Sequence, residues 1–308
     1  MDVKLHTKLK HLIVSYYFSA GWRKAFKSEN IFSLYYVDLF SGDGLCTCSE
    51  IDDEIERYLP DDMSKRTWSP SFFKLMEFAD EANFDLRCIF NDKCKNKINS
   101  LLKRVETEGY SRYVNGHYCD DANVVCDFVL EKIGRTNRPS LFFLDPLNHD
   151  QLKFSTIERI ASFKDKKTGR MPELIINFML NSIFMAFKRG LSNGDIQSIN
   201  NFLGTDFHRE ELVRIKDDPK KTHLLLLEIY LEKLERFGYK CNYHLIKSTK
   251  NNAPIYYLIF ATYSDKIASW YKNINSYVHQ LEDEWIKRNY IIKTMWDIKQ
   301  KGQTFLDV

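Results

Sequence analysis

No uncharged apolar run in this 308-residue sequence is long enough to cross a bilayer, and no apolar core follows the opening Met1-Asp2-Val3-Lys4. Neither a spanning helix nor a secretory leader is therefore expected, and a cytoplasmic protein is. Glycine and proline are scarce, 12 and 7, which excludes collagen-like, repeat and linker-rich architectures. An excess of one charge is missing too: 45 Lys and Arg against 42 Asp and Glu leave +3. That is too little to hold a polyanion by bulk charge, so any basic face must be built by the fold. The seven cysteines are odd in number and contain no Cys-x-x-Cys pair, which suits reduced thiols rather than a disulfide framework. Cys46 and Cys48 could join His117 or Cys119 as metal donors, but isolated cysteines are more often small buried residues, and no metal is assigned.

What the chain does have is 44% hydrophobic residues, enough for a substantial core, arranged in alternating strand and helix patterns. Residues 5–26 carry Leu5, Leu9, Leu12, Ile13 and Tyr16 at helical spacing. An apolar and aromatic strand over 33–40 then runs into Ser41-Gly42-Asp43-Gly44. Residues 45–68 turn acidic and read as an insertion, with 50–62 expected to act as a lid over the glycine turn. Ser69-Pro70 has the chemistry of a helix start. Strands over 86–90, 113–118, 140–144 and 173–178 alternate with helices, which predicts a doubly wound, mostly parallel sheet. A helix over 222–237, a hairpin over 241–246 and 255–261, and closing helices over 264–299 complete the pattern. The expected organisation is an N-terminal helix in 1–30, an α/β domain in 31–263 and a helical extension in 264–308.

Open α/β sheets bind ligands at the carboxyl ends of their strands, so the polar residues there are the candidates. Asp38, Phe40, Gly42 and Gly44 form the first group, in which glycine lets backbone amides approach a ligand. No Gly-Lys-Ser/Thr follows, and Thr47 stands where a third glycine of a dinucleotide loop would fall, which leaves a nucleoside-type cofactor without a pyrophosphate. Asp92 could accept ribose hydroxyls or cap the next helix, and Asp121 and Asn123 could contact a base edge or do the same. Asp145, Asn148 and His149 set a carboxylate, an amide and an imidazole at the end of a buried strand. His6 and Lys10 lie one helical turn apart and face the same way. The basic stretch 164–170 reads as a solvated turn that, with Lys188 and Arg189, could track a nucleic-acid backbone.

Together, Asp38 to Gly44, an acid ending the second strand and Asp145-Pro146 ending the fourth resemble class I S-adenosylmethionine-dependent methyltransferases. More closely, the chain resembles the three-Cys-motif partner protein family. The matching positions are His6-Thr7 and Lys10, Asp38/Phe40/Gly42/Gly44, Ser69-Pro70, Asn91-Asp92, Asp121-Ala122-Asn123 and Leu144-Asp145-Pro146. Residues 175–178, 202–205 and 256–260 match as well. The resemblance implies a Rossmann-like, seven-stranded, mostly parallel sheet with a C-terminal hairpin and extra helices. It implies S-adenosylmethionine on Asp38, Phe40, Gly42, Gly44, Asp92, Asp121 and Asn123, with Asp145, Asn148 and His149 at the reaction centre. His6 and Lys10 would contact substrate or partner. The implied activity is methyl transfer to nucleic acid or a nucleic-acid-associated substrate, in a bacterial (phage) defence or mobile-element setting. The implied partner is a cysteine-motif protein resembling radical S-adenosylmethionine enzymes. Departures are Asp92 for the usual Glu, Leu147 where an aromatic is common, and the long insertion after Gly44. A metal-dependent nuclease using Asp38, Asp92 and Asp145, and a non-catalytic scaffold, are the rival readings.

Overall fold

The computed structural model describes residues 4–22, 33–49, 51, 56, 65–136, 138–164, 169–216, 219–248 and 253–300. The sheet strands are β1 (Ser33–Asp38), β2 (Asp85–Asn91), β3 (Val114–Tyr118), β4 (Ser140–Leu144), β5 (Glu173–Phe178), β6 (Lys240–Lys247) and β7 (Pro254–Thr262). The helices are α1 (Leu5–Tyr16), α2 (Ser71–Ala82), α3 (Lys95–Thr107), α4 (Ala122–Gly134), α5 (Phe154–Ser162) and α6 (Leu180–Arg189). They continue with α7 (Asn193–Leu203), α8 (Arg209–Lys216), α9 (Pro219–Arg236), α10 (Asp265–Ser269) and α11 (Tyr271–Gln300).

The seven strands lie in the order β3-β2-β1-β4-β5-β7-β6. Strands β1 to β5 are parallel, and β7 enters antiparallel to both β5 and β6. This is the Rossmann-like, mostly parallel arrangement read from the sequence, with the hairpin reversed so that its second strand is internal. β4 and β5 are buried along their whole length, and that is why they are nearly pure apolar runs. Helices cover both faces. On one, Leu9 and Ile13 of α1 pack with Phe72 and Met76 of α2, Leu101 of α3 and Val278 and Leu281 of α11. On the other, Val125 and Val129 of α4 pack with Ile157 and Ile160 of α5, Phe202 of α7 and Tyr230 of α9.

Three local features differ from the sequence reading. The first helix ends at Tyr16 and continues as a π-helical turn over Tyr17–Trp22, while 23–32 lie outside the described residues. Ser69 does not cap α2. The helix starts at Ser71, whose backbone N–H donates to Nδ1 of His11 at 2.9 Å, so α1 supplies the cap. Of the expected lid over 50–62 only Ile51, buried in the core, and Glu56, which accepts from Arg66 N–H, are among the described residues, and 165–168 of the basic turn lie outside them as well. The ends of the insertion pair as a short antiparallel ribbon, Cys46–Thr47 with Thr67–Trp68.

The Phe202-Leu203-Gly204-Thr205 motif has a physical reason. Gly204 ends α7 at φ 66°, and a Cβ there would come within 2.7 Å of Cδ1 of Phe154. Gly204→Ala would force both a left-handed backbone and a steric clash on a buried ring, a cost of about 2–4 kcal/mol. Calorimetry should show the melting temperature falling by roughly 3–6 °C for a chain of this size.

Candidate functional site

The site is built where β1 and β4 lie side by side and the chain crosses from one half of the sheet to the other. Past β1 the backbone turns through Gly42 and Gly44, at φ 66° and 77°, conformations that residues with a Cβ resist. Gly42 has open space where a Cβ would project, whereas Gly44 packs against Leu101 and Arg104 of α3. The turn is stapled to its neighbours by Asn91, the last residue of β2. Its Nδ2 donates to the carbonyls of Leu39 and Asp120 at 3.0 and 3.1 Å, and its carbonyl accepts from Ser41 N–H and Oγ.

Two cavities flank this turn and share Phe40, Gly42, Asp145 and Leu147. The larger, about 530 Å³, lies over the ends of β1 to β4 and is lined by Asn91, Asp92, Lys97, Asp121 and Gln151 among others. The smaller, about 160 Å³, lies between β1, β4, α1 and the start of β7, and takes in His6, Lys10, Asp38, Asn177 and Tyr256. That space holds about five waters' volume, the size of a small ring system rather than a folded segment.

The carboxylate of Asp145 stands where the cavities meet. Lys10 Nζ donates to Oδ1 and Oδ2 at 2.7 and 2.5 Å, and Asn177 Nδ2 donates to Oδ1 at 2.6 Å. Lys10 also lies 5.6 Å from the centre of the Tyr256 ring, which meets His6 edge-on and donates from its hydroxyl to the His6 carbonyl. Burial lowers the pKa of His6 to about 4 and that of His11 to about 3, with the Lys10 charge adding to both, so both rings are neutral at neutral pH. Asp38 is 3% exposed. Burial lifts its pKa to about 8, helped by the charge of Asp145 and opposed by the Phe40 N–H that Oδ1 accepts at 3.0 Å.

In the larger cavity, Asp92 Oδ1 accepts from Cys94 N–H at 2.8 Å, and Lys97 stands 3.6 Å from Oδ2. Asp121 caps α4 by accepting from Asn123 N–H, and it still lines the cavity. Asp38, Phe40, Gly42, Gly44, Asp92, Asp121, Asp145, His6 and Lys10 thus all border one cavity or the other.

Three expected residues do not. Asn123 is consumed by structure: its Oδ1 accepts from Lys153 N–H and Thr156 Oγ1, and its Nδ2 donates to the Gln151 carbonyl and Asp121. Asn148 is exposed at the head of a short 3₁₀ turn and lines neither cavity. His149 is buried, with Nδ1 and Nε2 at 2.8 and 3.0 Å from the hydroxyls of Ser182 and Ser198, and burial lowers its pKa. It ties the β4 loop to α6 and α7 instead of facing the reaction space. Conversely, Asn177 and Asn91 lie within matched motifs but are not among the candidate site residues. The signal for Asn177 was a lone amide inside the apolar run Ile175-Ile176-Asn177-Phe178; for Asn91, an amide closing an otherwise apolar strand. Cys46 and Cys48 are buried while His117 and Cys119 are exposed on β3 and the loop after it, and among the described residues no group of three or more His, Cys, Asp or Glu could hold a metal ion.

The chain matches no family model and no curated protein in sequence. In fold it is similar to protein LPL1258 from Legionella pneumophila, at 12% identity and a TM-score of 0.51, over 90% of this chain and 91% of that one. A more distant likeness is to the O-methyltransferase from Bacillus cereus in complex with SAH, at 7% identity and a TM-score of 0.39, over 84% of this chain and 90% of that one. The first likeness shows a shared fold across nearly the whole chain.

The raised Asp38 pKa makes a signed expectation. A carboxyl that holds its proton more tightly when folded stabilises fully below its unfolded value, near 4. That contribution is lost as pH rises through the folded value of about 8. Asp38→Asn removes the titration, so its melting temperature relative to wild type should climb steadily between pH 5 and pH 8.5. A constant difference across that range would show that Asp38 is ionised in the folded protein.

Proposed function

We propose that this protein is an S-adenosylmethionine-dependent methyltransferase whose acceptor is a planar, N–H-bearing group of a nucleic acid or nucleic-acid-associated substrate. The observation that carries the proposal is the meeting of two cavities at Asp145, one shaped for a cofactor and one for an acceptor. The larger has the donor set a nucleoside asks for: an open glycine at Gly42, a carboxylate at Asp92 for ribose hydroxyls, and Asp121 beyond it. Its volume of about 530 Å³ suits a small-molecule cofactor. When bound, S-adenosylmethionine supplies an electrophilic methyl group.

The smaller cavity offers aromatic walls from Phe40, Phe143 and Tyr256, and one polar atom that lacks a partner, the buried Oδ1 of Asn177. An acceptor N–H satisfies that oxygen. Three of the four lone-pair directions of Asp145 are already taken by Lys10 and Asn177, and the fourth can accept from the same nucleophile. Together these groups fix the nucleophile's lone pair toward the larger cavity, and alignment is most of what methyl transfer requires. Tyr256 supplies the ring that Leu147 does not, from a different strand. The resemblance to three-Cys-motif partner proteins adds a cysteine-motif companion and a defence setting to this reading.

The nuclease reading fares worse on electrostatics, because the Asp145 carboxylate faces the ammonium of Lys10 where it would need to face a cation. A non-catalytic scaffold differs in its outcome under direct test. Titration calorimetry with S-adenosylmethionine and S-adenosylhomocysteine should give heat with both, and Asp92→Ala should weaken both roughly ten- to hundredfold, the worth of hydrogen bonds to a charged group. Asp145→Asn should cut transfer of labelled methyl at least about a hundredfold while leaving cofactor affinity unchanged. Absence of heat with either ligand overturns the proposal, and loss of cofactor affinity in step with loss of transfer in Asp145→Asn would make that residue a strut only.

A further inference from the structure

Of the seven cysteines, only Cys94 and Cys119 are exposed. The others are buried or half-buried, and burial pushes the thiols of Cys46, Cys126 and Cys241 up to about 11, 12 and 12. Thiols held protonated in this way react slowly, because the thiolate is the nucleophile. The two accessible thiols are distant in sequence and meet in the fold.

β2 and β3 run parallel with Asn91 opposite Tyr118, so the chain leaving each strand enters the same corner of the rim. The Asn91 side chain holds that corner together: Nδ2 donates to the Asp120 carbonyl, and Oδ1 accepts from Asp120 N–H at 3.2 Å. One residue earlier, Sγ of Cys119 lies 3.8 Å from the carbonyl oxygen of Lys93. That oxygen and the Cα of Cys94 belong to one planar trans peptide, about 2.8 Å apart, which puts the Cys119 sulfur within roughly 6.6 Å of the Cys94 Cα. Disulfides join Cα atoms about 4.4–6.8 Å apart. Neither cysteine is inside a strand or helix, since Cys119 follows β3 and Cys94 precedes α3. Rotation of two exposed side chains, with a small backbone adjustment, therefore closes the bond.

Cys94 lines the larger cavity and Cys119 does not. The N–H of Cys94 donates to Asp92 Oδ1 at 2.8 Å, so the backbone that carries one thiol also aims the Asp92 carboxylate. We infer that Cys94 and Cys119 are a redox pair that closes a reversible disulfide at the wall of this cavity, by exchange with a low-molecular-weight disulfide of the glutathione class. One protein thiolate attacks the small disulfide, breaking its S–S bond and releasing one small thiol. The other protein thiolate attacks the protein sulfur of the mixed disulfide and releases the second. The two protein sulfurs are oxidised, the two sulfurs of the small disulfide are reduced, and the protons lost by the cysteines end on the released thiols. Where thiols are otherwise kept reduced, such a bond is transient and senses oxidation. Closing it draws Cys94 towards Cys119 and away from Asp92, which lowers affinity for whatever that carboxylate holds. This last consequence rests on the cofactor reading above; the disulfide itself does not.

Intact-mass spectrometry of the folded full chain after incubation with oxidised glutathione tests the pair. The wild type should lose two hydrogens and retain no glutathione, and peptide mapping without reductant should join Cys94 to Cys119. Cys94→Ser and Cys119→Ser, both at exposed positions, should each stop at a mixed disulfide on the remaining thiol, while Cys241→Ser should still form the bridge. A wild type that stays reduced, keeps a glutathionyl group or bridges another pair overturns the inference. Titration calorimetry with S-adenosylhomocysteine should then give a Kd about tenfold weaker for the oxidised than for the reduced wild type, the worth of one hydrogen bond to a charged group, and dithiothreitol should restore it. Equal Kd values in the two states would overturn the control of the cavity. Failure of the methyltransferase reading would appear separately, as absence of heat in the reduced protein, with the disulfide still decided by mass.

Discussion

The ion pair between Lys10 and Asp145 joins the helix at the start of the chain to a strand end near its middle. Both side chains are largely removed from water, at 7% and 18% exposure. A buried pair compensates its own desolvation only when its remaining lone pairs are met, and here Asn177 meets a third of the four on Asp145. Much else follows from where that pair holds α1. The same helix places His6 against Tyr256, aims His11 at the first turn of α2 as its cap, and sets Lys8 beneath Trp68. Removing one charge would leave the other stranded in a nonpolar wall, a cost of about 3–5 kcal/mol.

Around that pair, three titratable side chains are held uncharged by burial. His6 and His11 are held unprotonated by burial, and Asp38, next to the turn, keeps its proton up to about pH 8. Among the described residues, His11 and Leu45 line both the smaller cavity and a neighbouring cleft on the other flank of α1.

Much of this was legible in the sequence. β1, β4 and β5 were plain because strands buried on both faces must be continuous apolar runs, and the polar residues that ended them marked one rim of the sheet. Strand ends reveal which residues reach the rim but not which way each turns after it. Asp145, first after β4, faces the cavities; His149, four residues on, is carried away by a 3₁₀ turn onto two serines that belong to helices not resolved individually in the sequence. Asn123 was likewise indistinguishable from a ligand-binding amide until Lys153 and Thr156 were seen to use it. The aromatic ring of the acceptor space was illegible for a topological reason, because Tyr256 reaches it only by the insertion of β7 between β5 and β6.

That insertion orders events on the ribosome. The larger cavity is lined by residues 39 to 151, and the strands beneath it, β1 to β4, are all made by residue 144. Its walls can therefore assemble while the second half of the chain is still being synthesised. The smaller cavity needs His6 and Lys10 from the first helix together with Ile255 and Tyr256, and so waits until the hairpin has emerged. Until then β5, fully buried in the finished sheet, presents a bare apolar edge of the kind that pairs with strangers. The nascent protein thus acquires its groove early and its chamber late, and the interval between them is when the chain is most exposed to misassembly.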